Sequence, residues 1–295
     1  MKITFRRFAT AFAVVPGLLM LFATGCNNND DAPATPEPLV TLRNSATLGN
    51  YLTDKDGNTL YFFTRDADGT NNCTGGCAAL WPIFHQASLT QDQLGTGLQL
   101  TDFAEITTAG GQKQTTYKGW PLYYYAPSVN GTNTREAPGE TKGEAVGTVW
   151  YVAKTDYSIM LANRQLTGAD GKRYRINASG AYEEGDGVTQ YFTDGKGRTL
   201  YIFTADRRNT NTCTSEGCRG NWPVFTDALA SVPSTLDKTL FGSIDAGNNR
   251  RQVTYKGWPL YYFTQDANRG ENKGVSVPRP GVWPVAVRNA PDAPN

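Results

Sequence analysis

Histidine is nearly missing from this chain, and neither sign of charge dominates it. Among 295 residues there is one histidine, His85, and 28 Lys+Arg stand against 27 Asp+Glu. A single imidazole excludes haem or zinc sites built on several histidines, and most His-based catalytic triads if His85 lies elsewhere. A net charge of +1 gives no electrostatic footing for a nucleic-acid partner. The sequence has no Gly-x-Ser-x-Gly elbow, no His-Glu-x-x-His and no Walker loop. What is plentiful is 31 Gly, 15 Tyr, 13 Phe and 6 Trp in a chain with only 19% charged residues, which suits a secreted β-rich protein better than a helical bundle.

The long apolar run is confined to the amino terminus. Residues 1–25 carry Lys2, Arg6 and Arg7, then a mostly apolar stretch from Phe8 to Ala23, which is the layout of an export signal. Ala23-Thr24-Gly25-Cys26 resembles a bacterial lipobox, which implies that Cys26 is lipidated and becomes the first residue. Residues 26–39 hold Asn, Asp and three prolines without apolar periodicity and read as a flexible tether. Asp30 and Asp31 resemble the surface-export signal of some Gram-negative lipoproteins. Removal of residues 1–25 takes three cations and no acid, which leaves a net charge of −2 and argues against a polybasic membrane-surface role.

Beyond the tether the chain is written twice. Tyr51-Leu-Thr-Asp-Lys-Asp-Gly-Asn-Thr-Leu-Tyr-Phe-Phe-Thr-Arg-Asp66 aligns with Tyr191-Phe-Thr-Asp-Gly-Lys-Gly-Arg-Thr-Leu-Tyr-Ile-Phe-Thr-Ala-Asp206. Thr116-Tyr-Lys-Gly-Trp-Pro-Leu-Tyr-Tyr124 aligns with Thr254-Tyr-Lys-Gly-Trp-Pro-Leu-Tyr-Tyr262. Every tryptophan is matched: Trp81 with Trp222, Trp120 with Trp258, Trp150 with Trp283. Within each copy, Gly-x-x-Leu-Tyr-x-aromatic occurs twice, at Gly57, Gly119, Gly197 and Gly257. Glycine supplies the positive φ of a tight turn between β-prone runs, so each copy reads as two β-hairpins.

The expected fold is therefore mainly β: two tandem homologous domains, 40–154 and 155–295, each of two hairpin half-repeats with short helical turns near Thr101–Ile106 and Leu236–Phe241. A further hairpin, about 157–187, is inserted into the second domain around Gly168-Ala-Asp-Gly171, and its Leu161-Ala-Asn163 faintly echoes Leu42-Arg-Asn44.

Tyr61-x-Phe63-x-x-Asp66, Tyr201-x-Phe203-x-x-Asp206 and Tyr261-x-Phe263-x-x-Asp266, with their Trp-Pro segments, resemble a bacterial secreted lipoprotein repeat family described by a Tyr-x-aromatic-x-x-Asp motif. The resemblance implies an exported, lipid-anchored repeat protein and no defined activity. One half-repeat departs, because Tyr123-Tyr124-Tyr125 runs into Pro127-Ser128 where the family has aspartate.

Cys73/Cys77 and Cys213/Cys218 are close pairs in glycine-bearing loops, each able to close a local disulfide in an oxidising compartment. A redox-active pair and a shared zinc are the alternatives; neither pair has the two-residue spacing of thioredoxin-like motifs. Asp54-Lys-Asp56-Gly-Asn58 superficially resembles a calcium loop, but the second copy places Lys196 and Arg198 where ligands would stand, so turn chemistry is the better reading. His85 is matched by Thr226 and cannot serve a mechanism shared by both copies. No catalytic residue, metal site or cofactor is expected. The candidate binding residues are Lys118 and Trp120, with Lys256 and Trp258, at Lys-Gly-Trp-Pro hairpin turns where an aromatic-lysine tip could stack on a sugar or meet an anionic partner. The expected function is a lipid-anchored binding or scaffold module at the outer membrane or cell surface, with the periplasmic face as the alternative placement and a glycan or envelope protein as ligand. An accessory redox or electron-transfer protein using the cysteine pairs is the alternative.

Overall fold

Short antiparallel strands and tight turns carry the architecture of the computed structural model, which describes residues 37–247 and 249–295. Cys26 and the export signal lie outside the described residues, as does most of the tether. In the first copy Val40–Ser45 pairs with Gly49–Asp54, and Leu42 faces Leu52. A three-stranded meander follows, Phe103–Thr107, Lys113–Tyr117 and Trp120–Pro121. Lys118 and Gly119 both take positive φ, 48° and 77°, so Tyr117 and Trp120 face each other across a two-residue turn whose twist matches the strands. The second copy repeats it with Phe241–Asp245, Arg251–Tyr255 and Trp258–Pro259, and with Lys256 and Gly257 at 49° and 81°.

The faint echo at Leu161 is structural. Ile159–Thr167 pairs with Val188–Asp194 so that Ile159 faces Asp194 as Val40 faces Asp54, and Leu161 faces Phe192 as Leu42 faces Leu52. Ile159–Asn163 thus belongs to the repeat, and the insertion lengthens what is a tight connection in the first copy. Leu166 and Thr167 continue into pairing with Arg173–Ile176, which pairs in turn with Tyr182–Glu184.

Helical turns stand near the expected places, Leu100–Asp102 and Lys238–Leu240. The second is capped by Asp237; the first has no side-chain cap, and neither Thr101 nor Asp102 caps it. Two short α-helices were not evident from residue pattern, Gly76–Leu80 and Glu216–Asn221. Each contains the second cysteine of its pair and ends at Trp81 or Trp222, whose backbone N–H donates to Cys77 O or Cys218 O.

Residues from 37 onward form one compact unit. Its largest core cluster takes side chains from both copies, among them Leu52, Trp120, Met160, Tyr191 and Trp222.

Candidate functional site

The motif tyrosine of each half-repeat lies antiparallel to that of the other. Tyr61 N–H donates to Tyr123 O at 2.9 Å and Tyr123 N–H to Tyr61 O at 3.1 Å; Tyr201 and Tyr261 do the same at 2.8 and 2.9 Å. This pairing sends each hydroxyl toward the acid that ends the opposite half-repeat. Tyr123 Oη donates to Asp66 Oδ2 at 2.5 Å, Tyr261 Oη to Asp206 Oδ2 at 2.7 Å and Tyr201 Oη to Asp266 Oδ2 at 2.6 Å. The motif is a reciprocal exchange, tyrosine of one hairpin to carboxylate of the other.

In the half-repeat that lacks its aspartate, Glu136 supplies the carboxylate. Tyr61 Oη donates to Glu136 Oε1 at 2.5 Å. Glu136 Oε2 accepts Lys142 N–H at 2.7 Å, as Asp266 Oδ1 accepts Lys273 N–H at 2.8 Å. The local hairpin Ser128–Val129/Thr132–Asn133 takes up the extra chain. The clue in the sequence is a carboxylate shortly before each Gly-Glu-x-Lys-Gly segment, at Glu136 before Gly139 and at Asp266 before Gly270.

These segments close over the pairs. Gly143 N–H and Gly274 N–H each donate to the tyrosine oxygen at 3.2 Å. A Cβ at Gly143 would stand 2.8 Å from Tyr61 Cζ and 2.9 Å from Trp81 Cη2, which only glycine avoids. Burial raises the carboxyl pKa values: Asp66 rises to about 7 and Asp266 to about 6, against the opposing bonds from Tyr123 and Tyr201. Glu136 and Asp206 shift upward for the same first reason. Burial, then the adjacent carboxylate, also pushes the hydroxyls of Tyr61, Tyr123, Tyr201 and Tyr261 well up, so they keep their protons. An acid with a pKa near 7 resembles a general acid, but Asp66 is 0% exposed and its oxygens are occupied by Tyr123 Oη and Asn72 N–H. Its geometry is that of a structural hydrogen-bond acceptor.

Beside each exchange stands a column of aromatic rings. Phe63, Trp150 and Trp81 stack at 4.0 and 3.8 Å, with Tyr125 tilted at 4.5 Å from Trp81. Phe203, Trp283, Trp222 and Phe263 repeat this at 4.1, 3.8 and 4.4 Å. Each such contact contributes about 0.5–1.5 kcal/mol beyond area burial. Both cysteine pairs are closed, Cys73–Cys77 and Cys213–Cys218, and staple the short helices that carry Trp81 and Trp222.

The hairpin tips correct an expectation. Trp120 is 0% and Trp258 6% exposed, so neither indole face is free to stack on a ligand. Trp120 Nε1 donates to Gly195 O at 2.9 Å, and Lys118 Nζ to Thr155 O at 2.5 Å. Trp258 Nε1 donates to Pro291 O at 2.8 Å, and Lys256 Nζ to Ala290 O at 2.9 Å. The expectation treated a turn as a solvent-facing end, but here more chain packs onto each turn. At the first tip Arg269 of the second copy lies over the Trp120 ring at 4.8 Å and donates to Ala67 O and Lys118 O. Burial lowers its pKa to about 10, which leaves it charged at neutral pH.

Asp54 and Asp194 are turn residues. Asp54 Oδ1 accepts the backbone N–H of Asp56 and Asn58, and Asp194 Oδ1 those of Lys196 and Arg198. Their other oxygens accept Tyr124 Oη at 2.9 Å and Tyr262 Oη at 3.0 Å. His85 pairs with Glu105 at 2.9 Å on the surface. Among the described residues no three His, Cys, Asp or Glu side chains cluster as metal ligands would.

Three stretches, residues 44–85, 104–134 and 243–287, match one family model. It describes a secreted repeat of unknown function. Neither a curated protein nor a solved structure matches. The matched stretches contain Tyr61, Asp66, Tyr123, Tyr261 and Asp266. Tyr201 and Asp206 lie outside them, yet make the same exchange. The family description goes with an extracellular or envelope location, and among the described residues no helix is long and apolar enough to cross a membrane.

Proposed function

We propose that this secreted repeat is a lipid-anchored, non-catalytic binding or scaffold module of the envelope or cell surface. The observation that carries the reading is that the duplicated polar groups are consumed internally. The motif tyrosines, their four carboxylates, the tip lysines and the tip tryptophans all have partners inside the chain. A repeat built this way is a rigid frame, and recognition falls to surfaces on which the copies differ. Ala23-Thr24-Gly25-Cys26 supports the anchor.

The test is expression of the full chain beside Cys26→Ser. The wild type should fractionate with membranes and incorporate labelled palmitate, whereas Cys26→Ser should do neither. Equal fractionation without label in either form defeats the anchor. Chemical turnover of a retained envelope ligand by the purified protein defeats the non-catalytic half.

A further inference from the structure

On the outer face of the meander the copies differ in charge and in space. Phe103 faces Tyr117 as Phe241 faces Tyr255, so Ala104, Glu105, Lys113 and Thr115 correspond to Gly242, Ser243, Arg251 and Val253. In the first copy Glu105 neutralises its surroundings by pairing with His85 at 2.9 Å and Lys113 at 3.0 Å. A hollow of about 200 Å³ lies beside it, lined in part by Phe103, Ala104, Glu105 and Thr115.

In the second copy the acid is Ser243, and its neighbour is glycine in place of alanine. The corresponding hollow grows to about 650 Å³ and adjoins another of about 840 Å³; both are lined by Ser243, Arg250 and Arg251. Arg251 is held against the strand by Ser243, donating to its backbone oxygen at 2.7 Å and to Oγ at 3.0 Å. Arg219 adds a third guanidinium to the larger hollow. Among the described residues none of these arginines has a carboxylate partner within 4.0 Å. The acids lining the two hollows are Asp245, occupied by Gly247 N–H at 2.8 Å, and Asp227.

We propose that this double hollow of the second copy binds an anionic saccharide chain, one that bears uronic carboxylates. The inference rests on the binding-module reading and names its ligand class. Arginines meet the carboxylates, with the planar donor fork suited to them. Beside apolar Pro223, Val224 and Ile244, the neutral lining offers hydroxyls and amides, Thr210, Asn211, Thr214 and Ser243, that can meet sugar hydroxyls.

Asn71 Oδ1 of the first copy accepts Cys73 N–H at 3.0 Å, whereas the matching Asn211 Oδ1 is buried and unpartnered. Its orientation is set, because Gln252 Nε2 donates to Leu260 O and Gln252 Oε1 takes the Asn211 amide at 2.7 Å. The copies therefore also differ beneath this face, at a side chain that borders the larger hollow. The larger hollow is lined by no aromatic side chain, so it lacks the stacking surface that single-stranded nucleic acid uses.

The experiment is calorimetric titration of the purified full chain with oligogalacturonate, neutral maltoheptaose and inorganic polyphosphate at matched ionic strength. Oligogalacturonate should bind with an affinity that falls as salt is added, and maltoheptaose should not bind. Ser243→Glu, which restores the acid of the first copy at an exposed position, should weaken oligogalacturonate at least tenfold, and Arg250→Ala should weaken it severalfold. Glu105→Ser should change neither affinity. Unchanged affinity in Ser243→Glu and Arg250→Ala, each with wild-type melting, places the ligand elsewhere and overturns the proposal. Polyphosphate binding as tightly as the uronate overturns the saccharide assignment. If oligogalacturonate fails while the wild type keeps its palmitate label and membrane fractionation, the cleft is wrong and the anchored reading stands. Loss of palmitate label with uronate binding intact means the opposite: the cleft stands and the anchor is wrong.

Discussion

The two copies keep the same interior and put the same tip to different uses. Trp81 stacks on Trp150 and Trp222 on Trp283 at one spacing, 3.8 Å, with planes 4° and 5° apart. The tips have the same sequence, but Trp120 seizes the Gly195 turn of the second copy, whereas Trp258 seizes the Ala290–Pro291 segment of its own copy. A duplicated aromatic turn is therefore a joint, and what it joins depends on its place in the chain. Surfaces free of that duty have diverged, as Glu105 and Ser243 show.

The largest test of this comparison is removal of one ring from each column. Trp150→Ala and Trp283→Ala should each cost about 3–5 kcal/mol in urea unfolding. The costs should agree within about 1 kcal/mol, since the rings have matching neighbours. Both should appear in one cooperative transition, because the largest core cluster spans the copies. Two separate transitions would break the picture of a shared core.

A smaller effect tests whether Glu136 stands in for the missing aspartate. Glu136→Ala strands the Tyr61 hydroxyl and Lys142 N–H and should cost about 1–3 kcal/mol, as should Asp266→Ala in the second copy. A neutral Glu136→Ala beside a costly Asp266→Ala would show that the glutamate substitutes in position only.

The smallest effect is a pH dependence. Asp66 has its folded pKa raised to about 7, above the ordinary aspartate value near 3.8. The folded state thus holds its proton more tightly than the unfolded one, and the contribution is complete below about pH 4 and lost as pH rises through 7. Relative to Asp66→Asn, the wild type should gain on the order of 1–2 kcal/mol between pH 8 and pH 5. A difference that stays level across that range would mean that Asp66 is already ionised in the folded state at pH 5.

Much of this was legible in the residues. Lys-Gly before Trp-Pro announces a two-residue turn and the cysteine spacing announces local disulfides, whereas Leu161-Ala-Asn163 reads as part of an inserted hairpin until its pairing with Val188–Asp194 makes it the first strand of the second copy. The tyrosine-carboxylate exchange was not legible, because Tyr61 and Glu136 stand 75 residues apart and Tyr123 and Asp66 stand 57 apart. The motif records both partners but not the crossing between half-repeats. Glu136 does not stand at the motif position, because the intervening loop moves it along the chain.

What the sequence determined by itself is local: β-prone runs, turns that need positive φ at Lys118-Gly119 and Lys256-Gly257, and cysteines near enough along the chain to close local disulfides. These follow from backbone sterics within a few residues. What only the tertiary structure decided is which tyrosine meets which acid, and whether a tryptophan at a turn faces water or another turn. Those outcomes depend on burial, which is a property of whatever packs against a residue and so is written in no segment alone.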